Sequence, residues 1–377
     1  MKVSVLQENI SQGLGIVSRA VSPRSTLPVL ANVLVASDEG RLRLSATNLE
    51  LGITCWIGAK IEEEGSTTVP ARTFADLVNT LPSGQLDMDL TIRTHNLNVR
   101  SNGSNTDIKC IDAQEFPPMP VPDLAGSLEL DIKVMKEMIR QVVFTASTDD
   151  ARPVLTGVLV TVEGDKITMA AADGFRLAVR TAKLSSPAEK PIHAIIPARA
   201  LSELARIAGD ADETVQMVMP AGRNQVVFRL KDIELTTQLI EGAFPEYEQI
   251  IPNGHKTRTI ISTEGLLKAC KQAEIFAREG SHIATLNITP SDELQEGNVQ
   301  ISAQSEETGS NEAVVDATVE GDPILIAFNV KFLREVLDVI KTPNISLETS
   351  AATSPGLIHP MGDDDYLHVI MPMHLGN

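Results

Sequence analysis

The amino-acid sequence predicts an α+β protein made of three repeated domains, each with two helices packed on antiparallel sheets. Two observations lead to this prediction. Three kinds of segment recur in the same order at a spacing of roughly 127 residues, which indicates an internal repeat. Short segments of alternating apolar and polar residues separate the helices, which are too few for the regular strand–helix alternation of a parallel α/β enzyme. The expected domains are 1–123, 124–252 and 253–377.

Each domain is expected to open with a helix, over residues 8–21, 131–146 and 263–279. In the second of these segments, apolar residues between Ile132 and Ala146 recur at helical spacing and predict one buried face. The repeat therefore places an amphipathic helix at the start of every domain.

A predicted strand pair with a Pro-Val-Leu motif follows this helix. Residues 27–35 read LPVLANVLV, residues 152–160 read RPVLTGVLV, and residues 283–288 form a diverged third copy. The second pair ends at Asp173 and Gly174, a dipeptide that predicts a hairpin turn because glycine readily adopts a positive φ. These segments predict hairpins at matching places in the repeat.

A second helix and a closing segment complete each domain. The helix start at residues 69–74 (VPARTF) matches residues 196–201 (IPARAL) and, more distantly, residues 328–333 (FNVKFL). Further alternating segments predict strands, and the closing segments share aromatic or methionine residues beside proline. The predicted strands are 91–100, 107–111, 225–230 and 233–239, and the closing segments are 116–120, 244–247 and 369–373.

The charges are distributed unevenly along the chain. The formal net charge is −18, which weighs against a protein that holds nucleic acid by bulk positive charge. The predicted helices nevertheless carry more basic than acidic residues, and several basic residues share one helix face. Either these are ordinary solvated faces, or six helices form one positive surface that hosts a polyanion within an acidic body. The clustered basic residues are Lys133, Lys136, Arg140, Arg199, Arg206, Lys268, Lys271, Arg278, Lys331, Arg334 and Lys341.

Motifs for catalysis and for cofactor or metal binding are missing from the sequence. It has no GxxxxGK[ST] phosphate loop, no HExxH pair and no Gly-x-Ser-x-Gly element. His359, His368 and His374 are only loosely clustered, and the acidic run 363–365 is expected to be a solvated turn. A binding protein without cofactor or metal is therefore favoured over an enzyme.

The cysteine pattern and the apolar runs bear on the compartment. The three cysteines are far apart in the sequence, which favours a reducing cytosol over a disulfide framework. The first residues lack the apolar core of a signal peptide, and no run approaches the roughly 20 apolar residues of a transmembrane helix. We expect a cytoplasmic protein without a membrane partner.

Taken in order, several of these segments resemble the bacterial sliding clamp, the β subunit of DNA polymerase III. The resemblance covers the whole chain, and its combination of motifs is specific although each motif alone is weak. The matching segments are TLP at 26–28, VPAR at 69–72, ADGFRLAV at 172–179, EGAFPEY at 241–247, FNV at 328–330 and VIMPMHL at 369–375.

The resemblance implies a DNA clamp fold, in which three domains form half of a closed ring with helices lining the hole. Such a homodimeric ring encircles duplex DNA without regard to sequence, needs only weak phosphate contacts and has no catalysis of its own. Arg24 matches a DNA-contacting position of the family, and we add Arg72, Arg199 and Lys331 because they stand at helix starts. For these three, solvation of a helix end is the alternative.

The family also implies a hydrophobic groove that takes short linear motifs from the replicative polymerase, the clamp loader and repair proteins. A methionine pair suits such adaptable recognition. Here Phe175, Ala172, Gln249 and His374 depart from residues that other clamps can carry, which affects motif preference. The groove residues implied by the match are Arg152, Leu155, Ala172, Gly174, Phe175, Arg176, Leu177, Pro245, Ile250, Ile345, Val369, Ile370, Met371, Pro372 and Met373.

Family matching further implies a dimer contact between the first domain of one chain and the third domain of the other. It sets Ile108 against Ile275 and Phe276. Two other functions are weighed against a clamp: an enzyme with an undetected site, and a non-catalytic protein–protein scaffold that does not encircle DNA. A scaffold gives no reason to concentrate basic residues on helices, so the sequence favours the clamp.

Overall fold

A computed structural model describes residues 1–23, 25–209, 213–220, 222–278, 281–291 and 296–374. The helices of these residues are amphipathic and, like the predicted ones, come in pairs along the chain. They are α1 Gln7–Val17, α2 Ala71–Thr80, α3 Ile132–Val142, α4 Ala198–Ile207, α5 Thr263–Ala277 and α6 Val330–Val339.

The strands of the described residues are short and pair antiparallel throughout. They are β1 Lys2–Leu6, β2 Asn32–Asp38, β3 Arg41–Thr47, β4 Leu51–Ile57, β5 Ala59–Glu63, β6 Ser66–Pro70, β7 Gln85–Thr91, β8 Asn96–Ser101, β9 Ser104–Lys109, β10 Leu128–Asp131, β11 Gly157–Glu163, β12 Lys166–Ala172, β13 Arg176–Lys183, β14 Ile192–Pro197, β15 Thr214–Val218, β16 Gln225–Arg229, β17 Ile233–Gln238, β18 Thr257–Ser262, β19 Ile283–Thr289, β20 Asn298–Ser305, β21 Gly309–Gly321, β22 Ile324–Asn329, β23 Asn344–Thr349, β24 Gly356–Pro360 and β25 Tyr366–Ile370.

The order of elements confirms the predicted α+β repeat. Strand, helix, four strands, helix and three strands follow one another three times, if β4 and β5 are counted as one strand interrupted at Gly58. Every α-helix begins directly after a strand. At α6, the Asn329 side chain accepts hydrogen bonds from the backbone N–H groups of Lys331 and Phe332, which satisfies helix donors that have no carbonyl partner.

The first compact unit comprises Met1–Lys133 and Glu203–Leu239. It holds a five-stranded sheet of order β5-β1-β7-β8-β9 and an eight-stranded sheet of order β10-β15-β16-β17-β4-β3-β2-β6. Helix α1 packs on β3 and β4 and buries Ile10, Leu14 and Val17. These side chains recur every three or four residues, so the helix presents one apolar face to the sheet.

The second compact unit comprises Val134–Ser202 and Ile240–Asn377. Its described strands form one twelve-stranded sheet of order β14-β11-β12-β13-β25-β24-β23-β18-β21-β20-β19-β22. The pairing of β25 with β13 therefore joins the last strand of the chain to a hairpin formed about 190 residues earlier. This junction lies at the centre of the candidate site.

Several predicted boundaries are wrong in detail. The strand predicted over 91–100 is interrupted, because residues 92–94 form a 3₁₀ turn and His95 has a φ of 49°. Each Pro-Val-Leu motif begins as a 3₁₀ turn, Pro28–Ala31 or Pro153–Thr156, before its strand starts. Proline presets the φ of such a turn and lacks the N–H that a strand ladder requires.

Candidate functional site

The β12–β13 turn forms one side of the candidate groove. Gly174 has a φ of +94°, as the Asp-Gly dipeptide predicted. The Asp173 carboxylate accepts hydrogen bonds from the backbone N–H groups of Phe175 at 2.9 Å and Arg176 at 3.1 Å. A Cβ at Gly174 would lie 3.1 Å from Nη1 of Arg152, the flexible end of an exposed side chain that can move aside, so the positive φ is what favours glycine here. This fixed turn leaves Phe175 56% exposed.

The C-terminal segment runs beside this turn. The ladder between β13 and β25 continues past the strand, since the Met371 N–H donates to the Phe175 carbonyl oxygen at 2.8 Å. The Met373 N–H donates to the carbonyl oxygen of Ala327 on β22 at 2.8 Å. Met371 is 38% exposed, and Pro372 is half-buried. The segment is thus held by its backbone, which leaves Met371 side-chain surface available for a ligand.

An apolar cluster joins three of the predicted groove residues, Ala172, Leu177 and Val369. They lie on neighbouring strands, and Leu177 is directly opposite both Ala172 and Val369 in the ladders. Pairing of period-two strands therefore puts all three side chains on one face of the sheet. Other members of this cluster are Leu159, Ala170, Val179, Ile195, Phe244, Tyr247 and Leu357, with Val154, Ile240, Ile251 and Leu367 packed at its edge.

The remaining predicted groove residues differ in what they expose. Pro245 and Ile250 are exposed and Leu155 is half-buried, so these three offer contact area. Ile345 and Ile370 are completely buried in β23 and β25. Ile345 pairs with Pro360 and Ile261, and β24 separates its strand from β25. The two buried isoleucines can support the surface but present no side chain on it.

Arg176 links the turn to helix α6 through a buried network. Its guanidinium donates to Asp173 at 3.0 Å, to Glu335 on α6 at 2.5 Å and to the Phe144 carbonyl oxygen at 2.8 Å. It also lies over the Phe332 ring, 4.1 Å from the centroid. A planar guanidinium can satisfy several acceptors at once, which keeps this buried charge paired. Arg176 therefore positions the turn, whereas Arg152 is exposed beside it.

Strand β25 carries two buried polar side chains, those of Tyr366 and His368. His368 stacks on Phe144 with ring centroids 5.9 Å apart, and neither ring nitrogen has a hydrogen-bond partner among the described residues. Burial, with the positive charge of Arg176, lowers the pKa of His368 to about 3. Burial also raises the pKa of the Tyr366 hydroxyl, which has no partner in the described part of the chain either. Both groups are therefore neutral at physiological pH, and neither is available to a ligand at the surface.

The proposed phosphate contacts lie at equivalent helix starts. Arg72, Arg199 and Lys331 are each the second residue of their helix, in α2, α4 and α6, and all three are exposed. The Arg72 side chain is 96% exposed, and its nearest carboxylate is Asp76 at 3.8 Å. Arg24 lies outside the described residues.

Several other basic residues on or just after the helices are paired within the second unit. Lys271 lies 3.1 Å from Asp338, Arg334 lies 2.6 Å from Glu274, and Lys341 lies 2.8 Å from a carboxylate of α3. The solvated-face interpretation thus describes part of the charge pattern. These three side chains are less available to a polyanion than the exposed residues at the helix starts.

The predicted dimer residues lie on an edge strand and an exposed helix. Ile108 is on β9, an edge of the five-stranded sheet, but its side chain is only 5% exposed because its own chain covers it. Ile275 is 59% exposed on α5, where it lines a concavity of about 430 Å³ with Leu267, while Phe276 is half-buried. The edge strand thus offers mainly backbone groups, and α5 offers apolar surface.

Acidic, histidine and cysteine side chains are dispersed among the described residues. These residues contain no group of three or more His, Cys, Asp or Glu side chains placed to hold a metal ion. The acidic run predicted to be a solvated turn has Asp363 paired with Arg180 at 2.5 Å and Asp365 accepting from the Thr181 hydroxyl at 2.9 Å. Within the same residues, no helix is both long and apolar enough to cross a membrane.

Sequence reasoning missed several residues that build the groove. Val154, Leu159, Phe244 and Tyr247 belong to the apolar cluster or pack against it. Two of them stand inside motifs that recur, since Val154 follows the Pro of the Pro-Val-Leu segment and Phe244 precedes Pro245. The internal repeat was the signal that could have identified these residues, because residues that recur beside a turn or a proline help to shape the turn.

Comparison with known proteins gives consistent matches over the whole chain. Three sequence models of the DNA polymerase III beta subunit match it: the N-terminal domain over residues 1–120, the central domain over 129–246 and the C-terminal domain over 248–374. A beta sliding clamp of Synechococcus elongatus is 32% identical and covers 100% of both chains. One from Bacillus subtilis is 30% identical and covers 99% of both.

Solved structures also match the chain over its whole length. The crystal structure of the DNA polymerase sliding clamp from Bacillus subtilis superimposes with a TM-score of 0.94 at 28% identity, covering 100% of both chains. The DNA polymerase III subunit beta from Pseudomonas aeruginosa gives a TM-score of 0.91 at 27% identity, again over 100% of both chains.

Proposed function

The chain belongs to the DNA polymerase III beta subunit family of sliding clamps, and we propose that it performs this role as a homodimeric ring around duplex DNA. The ring tethers the replicative polymerase and other DNA-processing proteins, acts in the cytoplasm and catalyses no reaction itself. We propose three domains, 1–123, 124–252 and 253–377, each of which contains one copy of the repeated order of strands and helices.

The strand pairing carries the ring proposal. The last strand of the second repeat, β17, pairs with β4 of the first repeat, and the last strand of the third, β25, pairs with β13 of the second. Among the described strands, the last strand of the first repeat, β9, pairs only with β8. Its equivalent partner would be the fourth strand of the third repeat, β21. A second copy of the chain could supply that strand.

The β21 strand has a matching free edge. Residues 317–321 of β21 pair with β18, whereas residues 309–316 pair with β20 on their other side and have no second neighbour among the described strands. Val314 is 59% exposed in this half. Unpaired edges invite pairing with another chain. Two such contacts, in which β9 of each chain pairs with β21 of the other, would close a ring of two chains.

Encirclement by a closed ring then explains how an acidic chain holds DNA. A closed ring retains duplex DNA without tight binding, so a few exposed cations such as Arg72, Arg199 and Lys331 suffice for phosphate contacts. Phosphate contacts carry no base information, so the ring slides without sequence preference.

The groove is proposed to take the partners' linear motifs. Its exposed apolar surface, from Phe175, Met371 and Pro245, surrounds a buried cluster and suits one or two hydrophobic side chains of a peptide. We assign the clamp loader and repair proteins to the same groove, as the family resemblance implies.

Retention on DNA tests the ring. The protein, once loaded, should remain on nicked circular DNA and slide off after the circle is cut, while its mass stays that of a dimer. Equal retention on circular and linear DNA would contradict encirclement. A protein–protein scaffold that does not encircle DNA, the alternative function, predicts no retention on either.

Truncation after Ile370 tests the groove. Val369 and Ile370 belong to β25 and are buried, so the cut must spare them. Losing the side chains from Met371 onward should weaken a Leu- and Phe-bearing peptide by about 30- to 1000-fold, equivalent to ~2–4 kcal/mol. Calorimetry measures this loss, and Val121→Ala, a change at a 91% exposed residue in the other unit, is the control. Full binding by the folded truncation would refute the groove.

A further inference from the structure

A pocket of about 450 Å³ lies on the same sheet face as the groove, beyond Pro245. It is lined by Leu159, Phe244 and Tyr247, which also belong to the apolar cluster that contains the groove residues. Pro245 lines the pocket and belongs to the proposed groove. A peptide held in the groove would therefore need to extend only past this proline to reach the pocket.

The strands explain why the pocket is polar at its far end. Along β11, Leu159, Thr161 and Glu163 alternate with buried residues and point to one face. On β12, Thr168 lies opposite Thr161, and Lys166 lies opposite Glu163. The face thus changes from apolar beside the groove to charged at the β11–β12 turn. Such a gradient fits a side chain with an apolar stem and a charged head.

The charges in the pocket lining have a negative excess. Glu163, Glu246 and Glu248 face one lysine, Lys166, and one histidine, His193. Within the described residues no lysine or arginine forms an ion pair with any of these three carboxylates. Gln249 donates a hydrogen bond to Glu246, which leaves the carboxylate charge uncompensated. A cationic side chain is therefore attracted to this lining, whereas an anionic one is repelled.

We propose that this pocket is a second subsite that receives a lysine or arginine side chain from the partner peptide, next to the hydrophobic residues held in the groove. The stem of the basic side chain packs on Phe244 and Tyr247, and its head lies between Glu246 and Glu248 on one wall and Glu163 on the other. This subsite rests on the proposed groove, because the groove brings the peptide to it. It would make the clamp prefer motifs with a basic flank.

Matched peptides test the subsite with the full-length protein. The probes carry a Leu-Phe pair followed or preceded by Gly-Lys-Lys, and their controls carry Gly-Gln-Gln in the same place. In calorimetry, at least one of the two lysine peptides should bind about 3- to 10-fold tighter than its own glutamine control, as expected for partly exposed ion pairs. The preference should shrink as salt is raised, since such pairs are screened.

Protein variants identify the carboxylates involved. The double change Glu246→Gln and Glu248→Gln should abolish the preference for lysine without weakening the glutamine peptides. Glu306→Gln, an exposed glutamate on the β20–β21 turn, is the matched control and should leave the preference intact.

The outcomes separate the two proposals. Glutamine peptides that bind normally, with no gain from lysine, overturn the subsite and leave the groove standing. A lysine preference that persists in the double variant also overturns the subsite. Failure of every peptide to bind the wild-type protein overturns the groove and the subsite together.

Discussion

Replacing His368 by phenylalanine should make the stability of the protein less sensitive to acid. His368 belongs to β25, which lies between β13 and β24. Its imidazole is completely buried and stacks on Phe144, and its two nitrogens have no hydrogen-bond partner among the described residues. Phenylalanine fits the stack and has no polar atoms to leave unsatisfied. The change therefore removes a titratable group while largely keeping the packing.

The magnitude follows from the pKa of His368, which is about 3 in the folded chain against an ordinary value of 6.5. Below pH 6.5 the unfolded chain binds a proton that the folded chain does not, so stability is lost as pH falls from 6.5 towards 3. At pH 5 the loss amounts to about 2 kcal/mol, which is 1.5 pH units at ~1.36 kcal/mol each. At pH 7.5 it is close to zero.

Urea denaturation at pH 7.5 and pH 5.0 measures this term. The free energy of unfolding of His368→Phe minus that of the wild type should rise by about 2 kcal/mol between the two conditions. Other groups titrate in both proteins and cancel in this difference. Val121→Ala, a change at a 91% exposed residue that does not titrate, should show no such rise. A difference that is the same at both pH values would refute the assignment of a buried neutral imidazole.

Three further predictions concern the network, the dimer and DNA. Arg176→Met should lower the free energy of unfolding by about 3 kcal/mol and weaken peptide binding, because it removes the buried guanidinium that pairs with the partly buried Asp173 and Glu335; urea denaturation with an unchanged midpoint would contradict this. Ile275→Ala with Phe276→Ala should give a monomer in sedimentation at low micromolar concentration, and a persistent dimer would place the contact elsewhere. Arg72→Glu with Lys331→Glu should reduce the salt dependence of DNA association roughly equally for all sequences, and an unchanged slope would argue against phosphate contacts there.

The repeat could be predicted from the sequence because its signals are local. The Pro-Val-Leu motif, the VPAR-like helix starts and the Asp173–Gly174 turn each depend on a few neighbouring residues, and the structure confirms an ordered element at each of them. The broken strand at 91–100 was missed because a left-handed residue, His95, gives no clear warning when it is not glycine.

The site was harder to predict because its residues meet through long-range pairing. Nothing local in the sequence says that β25 joins β13, and only this ladder brings Val369 to Leu177. The same ladder buries Ile370 on the opposite face, although Ile370 and Met371 look equally suited to a groove in the sequence. The resemblance to the clamp family indicated the region of the candidate groove, but the pairing register of the strands determines which of its side chains are accessible.

Arg176 connects the groove with the helix that carries a proposed DNA contact. The guanidinium holds the Asp173 turn on one side and Glu335 of α6 on the other, and α6 begins with Lys331 at its exposed end. All these groups lie in one compact unit and form a continuous chain of hydrogen bonds and packed side chains. Since a buried ion network has few alternative arrangements, the turn and α6 should keep fixed relative positions whether or not a partner is bound. A peptide that binds the proposed groove should thus meet a preformed surface, and its affinity should depend on the anchors it inserts rather than on any reorganisation of the helix.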